Sequence, residues 1–289
     1  MPESVDVGPP AAGVRLSWAE LPAAVRDWVG HELGAAVVEA VTQPGGFSPG
    51  VAARLRCADG TRAFCKAVSE LTNTQAPEMH RREAAITAAL PVSAPVPRLL
   101  TCYDDGTWIA LLFQDVAGRQ PSLPWRADEL TDVLKTLADL SESLTPSPLA
   151  DASTLQTKYE QDFSGWRLLA AGPAVAVDRL DPWSRRHLGT LAVVDWPAAC
   201  KGAAWFDVMA FAPSVAMQGG PLPEELLARH PAARGADPDA VLSAACALAG
   251  YFTLGALQPP PPGLPTVRPF QAAQARVARA WLARRTGWR

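Results

Sequence analysis

The chain has 289 residues, of which 48% are hydrophobic and 19% are charged, and its formal net charge is −3. This length can bury a large core as one big domain or as two lobes, whereas the slight acidity excludes the basic face that a nucleic-acid partner would require. The five cysteines are scattered and form no Cys-x-x-Cys pair, so we expect reduced thiols rather than a disulfide framework or a zinc site.

The N-terminal region is acidic and lacks a basic segment followed by an apolar one. We therefore expect no signal peptide and a cytoplasmic location. Residues 1–13 are rich in Pro, Gly and Ala, and a disordered N-terminus is expected over residues 1–16. Ser17 and Glu20 have the spacing of a capping box, which predicts a helix that runs to about residue 33.

The pattern up to residue 113 predicts a small antiparallel sheet with one further helix. Two Asp-Gly pairs, Asp59-Gly60 and Asp105-Gly106, lie between β-rich runs and indicate hairpin turns. Pro77 is a favourable first residue for the helix. The predicted strands span residues 36–41, 51–57, 62–68, 99–103 and 107–113, and the helix spans residues 77–90.

The remainder of the chain is predicted to be helical. Leucine and valine residues recur at helical spacing over residues 127–144. Strands followed by helices predict an α+β protein with segregated parts. Further helices are expected at residues 158–171, 183–192, 206–212, 239–257 and 269–285, and one more strand at residues 191–195.

One helical stretch requires a membrane test. Residues 240–267 contain no charged side chain, and residues 240–257 are largely apolar, close to the roughly 18 residues of a membrane span. The stretch is rich in Ala, Gly, Ser and Thr and ends at four consecutive prolines, 259–262. This composition favours a buried helix over a membrane helix, so we expect no membrane partner.

A glycine cluster follows the first predicted strand. Gly45, Gly46 and Gly50 would let backbone N–H groups approach a phosphate without interference from a Cβ atom, with Ser48 in the same turn. The cluster is equally compatible with an ordinary hairpin loop, and both interpretations stay open.

Lys66 lies inside an apolar strand. A buried lysine needs an anionic partner, and Glu83 on the next predicted helix is a suitable one, although Glu70 and Glu78 are also near in sequence. The alternative is a solvated lysine on an edge strand.

Asp195 follows two valines at a predicted strand end. A carboxylate in this position is a natural ligand for Mg²⁺, which prefers hard oxygen ligands and few of them from protein. The alternative is a turn-forming aspartate before Trp196-Pro197. Asp207, at the start of an apolar helix, is interpreted as a structural acceptor or N-cap rather than as a catalytic group.

Together these motifs resemble the aminoglycoside phosphotransferase family of the protein-kinase-like fold, over about residues 37–216. The resemblance implies that residues 45–50 cover the phosphates of ATP and that Lys66 and Glu83 place the α- and β-phosphates. Val194-Asp195-Trp196 is similar to the family's metal-binding motif, which implies that Asp195 binds Mg²⁺. Residues 202–210, with Asp207, resemble the segment that follows it.

The resemblance also covers the predicted hinge at residues 111–121. It implies that the backbone of Gln114, Asp115 and Val116 binds adenine. The family fold implies two lobes, an N-terminal sheet lobe at residues 17–116 that binds nucleotide and a helical C-terminal lobe at residues 117–289 that binds the acceptor. The helices after Gly219 are expected to form the acceptor site.

The chain departs from the family at the catalytic loop. The family has a His-Gly-Asp-Leu-x-x-x-Asn-type loop before the metal-binding strand, whereas none of the four histidines here has an aspartate two residues later, and the one asparagine is Asn73. We infer that a segment between about residues 189 and 193 is absent. No catalytic residue is therefore identified. Loss of a base and a metal ligand should remove several kcal/mol of transition-state stabilisation, each 1.36 kcal/mol being about tenfold in rate.

The resemblance implies ATP-dependent phosphorylation of a hydroxyl on a small molecule, such as an aminoglycoside or another amino-sugar, impaired here by the absent loop. The alternative is a catalytically inactive pseudokinase that binds nucleotide or a protein partner. Natural truncation, a binding role without catalysis, and a segment lost through a sequence error would all give this pattern.

Overall fold

The computed structural model describes residues 8–150, 162–172, 179–183 and 203–288. The chain divides into two compact units. One contains Pro10–Arg119 and Pro260–Val267, and the other contains Gln120–Pro259 and Arg268–Arg289. The predicted strand at 191–195, with Asp195, lies outside the described residues, as do most of the predicted helix at 183–192 and the start of the one at 158–171.

The first unit is built on a five-stranded antiparallel sheet in the order β1-β2-β3-β5-β4. All five strands predicted in this region are present, and so is the helix between the third and fourth. The elements are α1 (Ala23–Leu33), β1 (Val37–Thr42), β2 (Val51–Cys57), β3 (Arg62–Ser69), α2 (Ala76–Ala89), β4 (Leu99–Asp104) and β5 (Trp108–Gln114).

The alternating side chains of the central strands give the sheet two apolar faces. On one face Ala110 and Leu112 of β5 pack in the cluster that contains Val25 and Val29 of α1. On the other face Ile109, Leu111 and Phe113 pack with Ala76 of α2. Strand β3 follows the same alternation, because Cys65 and Ala67 lie on the α1 face and Val68 on the α2 face. Lys66 therefore shares the face of α2.

The N-terminal end of this unit differs from the prediction in two ways. The Ser17–Glu20 capping box is present, but it caps a short 3-10 helix, Trp18–Glu20, and α1 begins only at Ala23. Pro22 explains the interruption, because a proline disfavours helical geometry in the residue before it. Residues 10–16, expected to be disordered, form backbone hydrogen bonds with the glycine-rich turn and with Gly263.

The second unit is helical in its described residues. Its elements are α3 (Ala127–Ser143), α4 (Gly165–Ala171), α5 (Phe206–Met217), α6 (Pro223–Arg229), α7 (Pro238–Leu257) and α8 (Val267–Thr286). The helix predicted at residues 206–212 is longer in the structure, because α5 continues through the buried Pro213, a residue that usually stops a helix. Helix α6 was not predicted. The predicted α+β class with segregated parts is confirmed.

Helix α7 is the core helix of this unit. Nine of its residues are buried, and the indole N–H of Trp166 on α4 donates to Cys246 O at 3.0 Å. Gly165 and Gly250 allow the close approach, because a Cβ built on Gly165 would lie 2.3 Å from Gly250 O. Among the described residues α7 is the one helix long and apolar enough to span a membrane, and its burial is the pattern of a core helix.

Candidate functional site

The clearest functional feature of the sheet unit is an ion pair between β3 and α2. Lys66 Nζ lies 2.5 Å from Glu83 Oε1, and it also lies 5.5 Å from the centre of the Phe113 ring. Strand β3 is flanked by β2 and β5, so Lys66 is not on an edge strand. Glu78 instead lies near Arg81 and Arg82, at 4.0 and 3.9 Å. The predicted pairing of Lys66 with Glu83 is therefore present.

The pair remains open to solvent. The side chains of Lys66 and Glu83 are 30% and 36% exposed. A lysine that is held by one carboxylate and still reaches water can donate its remaining N–H groups to an anion. The arrangement thus places a cation, oriented by α2, on the helix-facing side of the sheet.

His80 lies one turn before Glu83 and is buried. Its Nδ1–H donates to Ala76 O at 2.9 Å. Burial lowers the pKa of His80, and the nearby charges of Lys66 and Arg15 lower it further while Glu83 opposes them. His80 is therefore neutral at pH 7, which leaves Lys66 as the cation that pairs with Glu83.

The glycine-rich turn between β1 and β2 lies against β3 close to Lys66. Gly50 has φ +94°, and a Cβ built on it would lie 2.4 Å from Ala67 O, so only glycine fits this position without strain. In the sheet Ala52, two residues later, is the direct neighbour of Lys66. The structure thus brings together the turn and the lysine that the sequence placed in one site.

Two of the backbone amides predicted to bind phosphate already donate to protein oxygens. The amide of Gly46 donates to Ala11 O at 2.9 Å, and the amide of Gly50 donates to Val14 O at 3.2 Å. Among the described residues, the amides of Gly45 and Ser48 have no protein acceptor. These last two are the donors of the predicted set that could bind an anion without breaking a described protein hydrogen bond.

Sequence reasoning missed Arg15 at this turn. The Arg15 guanidinium donates to the backbone oxygens of Gln43, Gly45 and Ser48, the first at 3.1 Å. Burial lowers the pKa of Arg15. No side-chain pattern indicates this role, because all three acceptors are backbone carbonyl groups.

The predicted hinge begins where β5 ends. Gln114 donates its amide to Arg98 O at 2.9 Å. The Asp115 carboxylate is 6% exposed and bonds Arg54 at 2.7 Å and Arg62 at 2.8 Å. Burial raises the pKa of Asp115, but the hydrogen bonds and charges of Arg54 and Arg62 outweigh it, so the pKa lies below its usual value.

Arg54 also fixes the backbone of the hinge. It donates to Val116 O at 2.6 Å and to Gly118 O at 3.2 Å. The Asp115 side chain and the Val116 carbonyl are thus engaged by Arg54, and any contribution of this segment to nucleotide binding falls to its other backbone groups.

Two predicted acidic residues remain. Asp195 lies outside the described residues, and those that are described contain no group of three or more His, Cys, Asp or Glu side chains able to hold a metal. Asp207 lies in the first turn of α5, but the N-cap is Trp205, so the N-cap interpretation is wrong. A carboxylate in the first turn is stabilised by the positive end of the helix dipole. Desolvation by neighbouring atoms nevertheless raises the pKa of Asp207.

An open surface depression of about 590 Å³ lies elsewhere on the sheet unit, where α1 ends and β1 begins. Its lining includes Trp18, Arg26 and His31 and none of the predicted site residues. It is therefore separate from the site around Lys66.

No protein-family model matches the chain, and no curated protein matches it. Among solved structures, a ternary complex of a thermostable mutant of aminoglycoside phosphotransferase APH(4)-Ia with AMP-PNP and hygromycin B aligns with a TM-score of 0.50 at 10% identity. The alignment covers 90% of this chain and 99% of that one. At this identity the likeness shows the fold, and the α+β, kinase-like architecture expected from the sequence is confirmed.

Two further solved structures are similar to the chain. Another structure of APH(4)-Ia has a TM-score of 0.49 at 12% identity, with 89% of this chain and 98% of that chain covered. A protein described as a fructosamine-3-kinase from Haemophilus somnus 129PT has a TM-score of 0.46 at 9% identity, with 92% and 98% covered.

Proposed function

We propose that the chain is an aminoglycoside phosphotransferase-like kinase that binds ATP and phosphorylates a hydroxyl group of a small molecule, with catalysis impaired by the absence of the catalytic Asp and Asn. The single observation that carries the proposal is the 2.5 Å pair between Lys66 on β3 and Glu83 on α2. In kinases a strand lysine held by a helix glutamate places the phosphates of ATP.

The described residues fit a bound nucleotide at several points. Lys66 supplies a cation held in place by Glu83, and the amides of Gly45 and Ser48 supply donors in the adjacent turn. The hinge at Gln114 lies three residues along the sheet from the neighbour of Lys66 on β5, Leu111, a separation of about 10 Å. Adenine would bind the hinge backbone, and the phosphates would lie toward Lys66.

Mg²⁺ would neutralise charge on the phosphates, and Asp195 is its proposed ligand from the sequence motif. The acceptor is proposed to be a small-molecule hydroxyl, on an aminoglycoside or another amino-sugar. Helices α6, α7 and α8, which follow Gly219, are the proposed acceptor elements. A cytoplasmic location would suit this use of ATP.

A second candidate function is a catalytically inactive, nucleotide-binding pseudokinase. The observation that favours it is in the sequence, because no histidine is followed two residues later by an aspartate and Asn73 is the one asparagine. The Asn73 side-chain oxygen accepts the amides of Gln75 and Ala76 at the start of α2, so it does not replace the absent metal ligand. Both candidates require nucleotide binding, and they differ in turnover.

Thermal unfolding with and without MgATP tests the shared requirement. We expect MgATP at about 100 times its Kd to stabilise the protein by about 2.7 kcal/mol and to raise its Tm by several degrees. Lys66→Ala should lose this rise. Lys135→Ala is the matched control, since Lys135 on α3 is 77% exposed and pairs only with Asp139 among the described residues. If MgATP does not change the Tm of the wild-type protein, both candidate functions are overturned.

Phosphate transfer to a panel of amino-sugars then separates the candidates. Binding with turnover far below the roughly 1–100 s⁻¹ of kinases supports the impaired enzyme. Binding with no detectable turnover supports the pseudokinase. Turnover within the kinase range would contradict the inferred loss of the catalytic loop.

A further inference from the structure

Two segments far apart in the sequence form a layer on the sheet unit. We call residues 10–16 and 260–267 the clasp; both belong to the same compact unit as the sheet. Val14 donates its amide to Gly263 O at 2.7 Å, the amide of Ala12 donates to Thr266 Oγ1 at 3.2 Å, and the Thr266 hydroxyl donates to Ala12 O at 2.6 Å. These bonds tie the two segments together.

The clasp holds both ends of the glycine-rich turn. At one end Gly13 donates to Gly46 O at 2.9 Å, and Gly46 donates back to Ala11 O. At the other end Leu16 donates to Gly50 O at 3.1 Å, and Gly50 donates to Val14 O. The turn is thus bound through four backbone hydrogen bonds rather than by its own strands alone.

Arg15 lies between these two ends and binds three carbonyl oxygens of the turn, those of Gln43, Gly45 and Ser48. Three carbonyl dipoles that converge on one point repel one another without a cation. A guanidinium has five donors in a fixed plane and can satisfy all three, whereas an ammonium is a point charge with three donors. Because a trans peptide directs its C=O and N–H to opposite sides, Arg15 also sets the direction of the following amide, that of Gly46.

The clasp also reaches the helix that carries Glu83. Asn73 accepts the amides of Gln75 and Ala76 at the start of α2, and its own amide group donates to Pro262 O at 3.3 Å. The glycine-rich turn and α2 are therefore both attached to the clasp.

We propose that Arg15 is a positioning residue of the nucleotide site: it holds the glycine-rich turn in the conformation that receives a polyphosphate. The proposal rests on the proposed function for its ligand, and on the clasp for its geometry. The clasp lies outside residues 37–216, and neither of its segments belongs to the predicted nucleotide site.

The test compares Arg15→Ala and Arg15→Lys with the control Arg56→Ala. Arg56 on β2 is also an arginine of the sheet unit, but it forms an exposed pair with Glu39. Each variant is first unfolded thermally without nucleotide to establish that it folds. The rates of amide hydrogen exchange at Gly46 and Gly50 then measure how firmly the turn is held. Titrations with MgATP and with adenosine measure the affinity of the nucleotide site for each ligand.

We expect Arg15→Ala to speed exchange of both amides and to weaken MgATP binding by about tenfold, the scale of a hydrogen-bonded charge. Adenosine binding should stay within about twofold of wild type, because adenosine lacks the phosphates; a purely structural loss would weaken both ligands. Arg15→Lys should restore part of the affinity, since it keeps the charge but not the planar fork. Arg56→Ala should match wild type in every measurement.

Three results would overturn the proposal. Tighter MgATP binding by Arg15→Ala would show that the clasp blocks the site instead of shaping it. Unchanged exchange and affinity would show that Arg15 does not position the turn. If wild-type protein binds no MgATP, the proposed function fails and Arg15 has no nucleotide role, while hydrogen exchange still reports whether Arg15 orders the turn.

Discussion

Two of the ion-pair sites in the sheet unit differ in their surroundings. Lys66 and Glu83 form a single contact, and about a third of each side chain is exposed. Asp115 is 6% exposed and is bonded by two arginines, Arg54 and Arg62. A carboxylate enclosed in this way has its acceptor capacity used by the protein, whereas the open lysine retains donors for a ligand. The comparison separates a structural ion pair from a candidate functional one.

Of the changes at these two sites, Asp115→Ala is expected to have the largest effect on the free energy of unfolding. The change leaves Arg54 and Arg62 without their shared carboxylate, and we expect a loss of about 2–3 kcal/mol in the free energy of unfolding. Urea denaturation measures it. Asp128→Ala is the matched control, because Asp128 is 65% exposed in its pair with Arg126, and it should cost less than about 1 kcal/mol. Equal losses for the two variants would contradict the structural role of Asp115.

A pH series gives a second, smaller effect at the same site. The pKa of Asp115 is lowered in the folded state, so its contribution to stability is present above the unfolded pKa, about 3.9, and is lost as pH falls through the folded value. The difference in unfolding free energy between wild type and Asp115→Asn should therefore be constant from pH 7 to about 5 and shrink below pH 4. A difference that grows in acid would have the wrong sign.

The two ion-pair sites also differ in how far the sequence predicts them. Lys66 and Glu83 lie in regular elements, where strand alternation and helix position determine which side chains meet. For Asp115 the resemblance to a family indicated a hinge, but its arginine partners come from the register between β2, β3 and β5, which local sequence does not specify. Adenine binding by the backbone of residues 114–116 stays a prediction, and the Gln114 amide and the Val116 carbonyl are already bonded within the protein.

The role of Arg15 could not be predicted from the sequence for a related reason. Its partners are backbone oxygens, and its segment has the Pro- and Gly-rich composition of a disordered tail. Residues 10–16 are ordered by contacts with the glycine-rich turn and with residues 260–267, the latter about 250 positions away, and no local pattern encodes such contacts. The five strands of the sheet were predicted because local periodicity indicates strands. Helix α5 was predicted too short, since it continues through the buried Pro213.

The smallest effect on stability is expected at the partly exposed pair of Lys66 and Glu83. In a double-mutant cycle with Lys66→Met and Glu83→Gln, the coupling contribution to the free energy of unfolding should be about 0.5 kcal/mol or less, because both side chains are partly exposed and water screens their attraction. The same cycle repeated with saturating MgATP should show a larger coupling energy if Glu83 orients Lys66 toward a phosphate. In that case both side chains are needed for the Lys66 ammonium group to bind the phosphate. Strong coupling without nucleotide, comparable to the effect at Asp115, would mean that the pair is structural; coupling unchanged by MgATP would remove it from the nucleotide site.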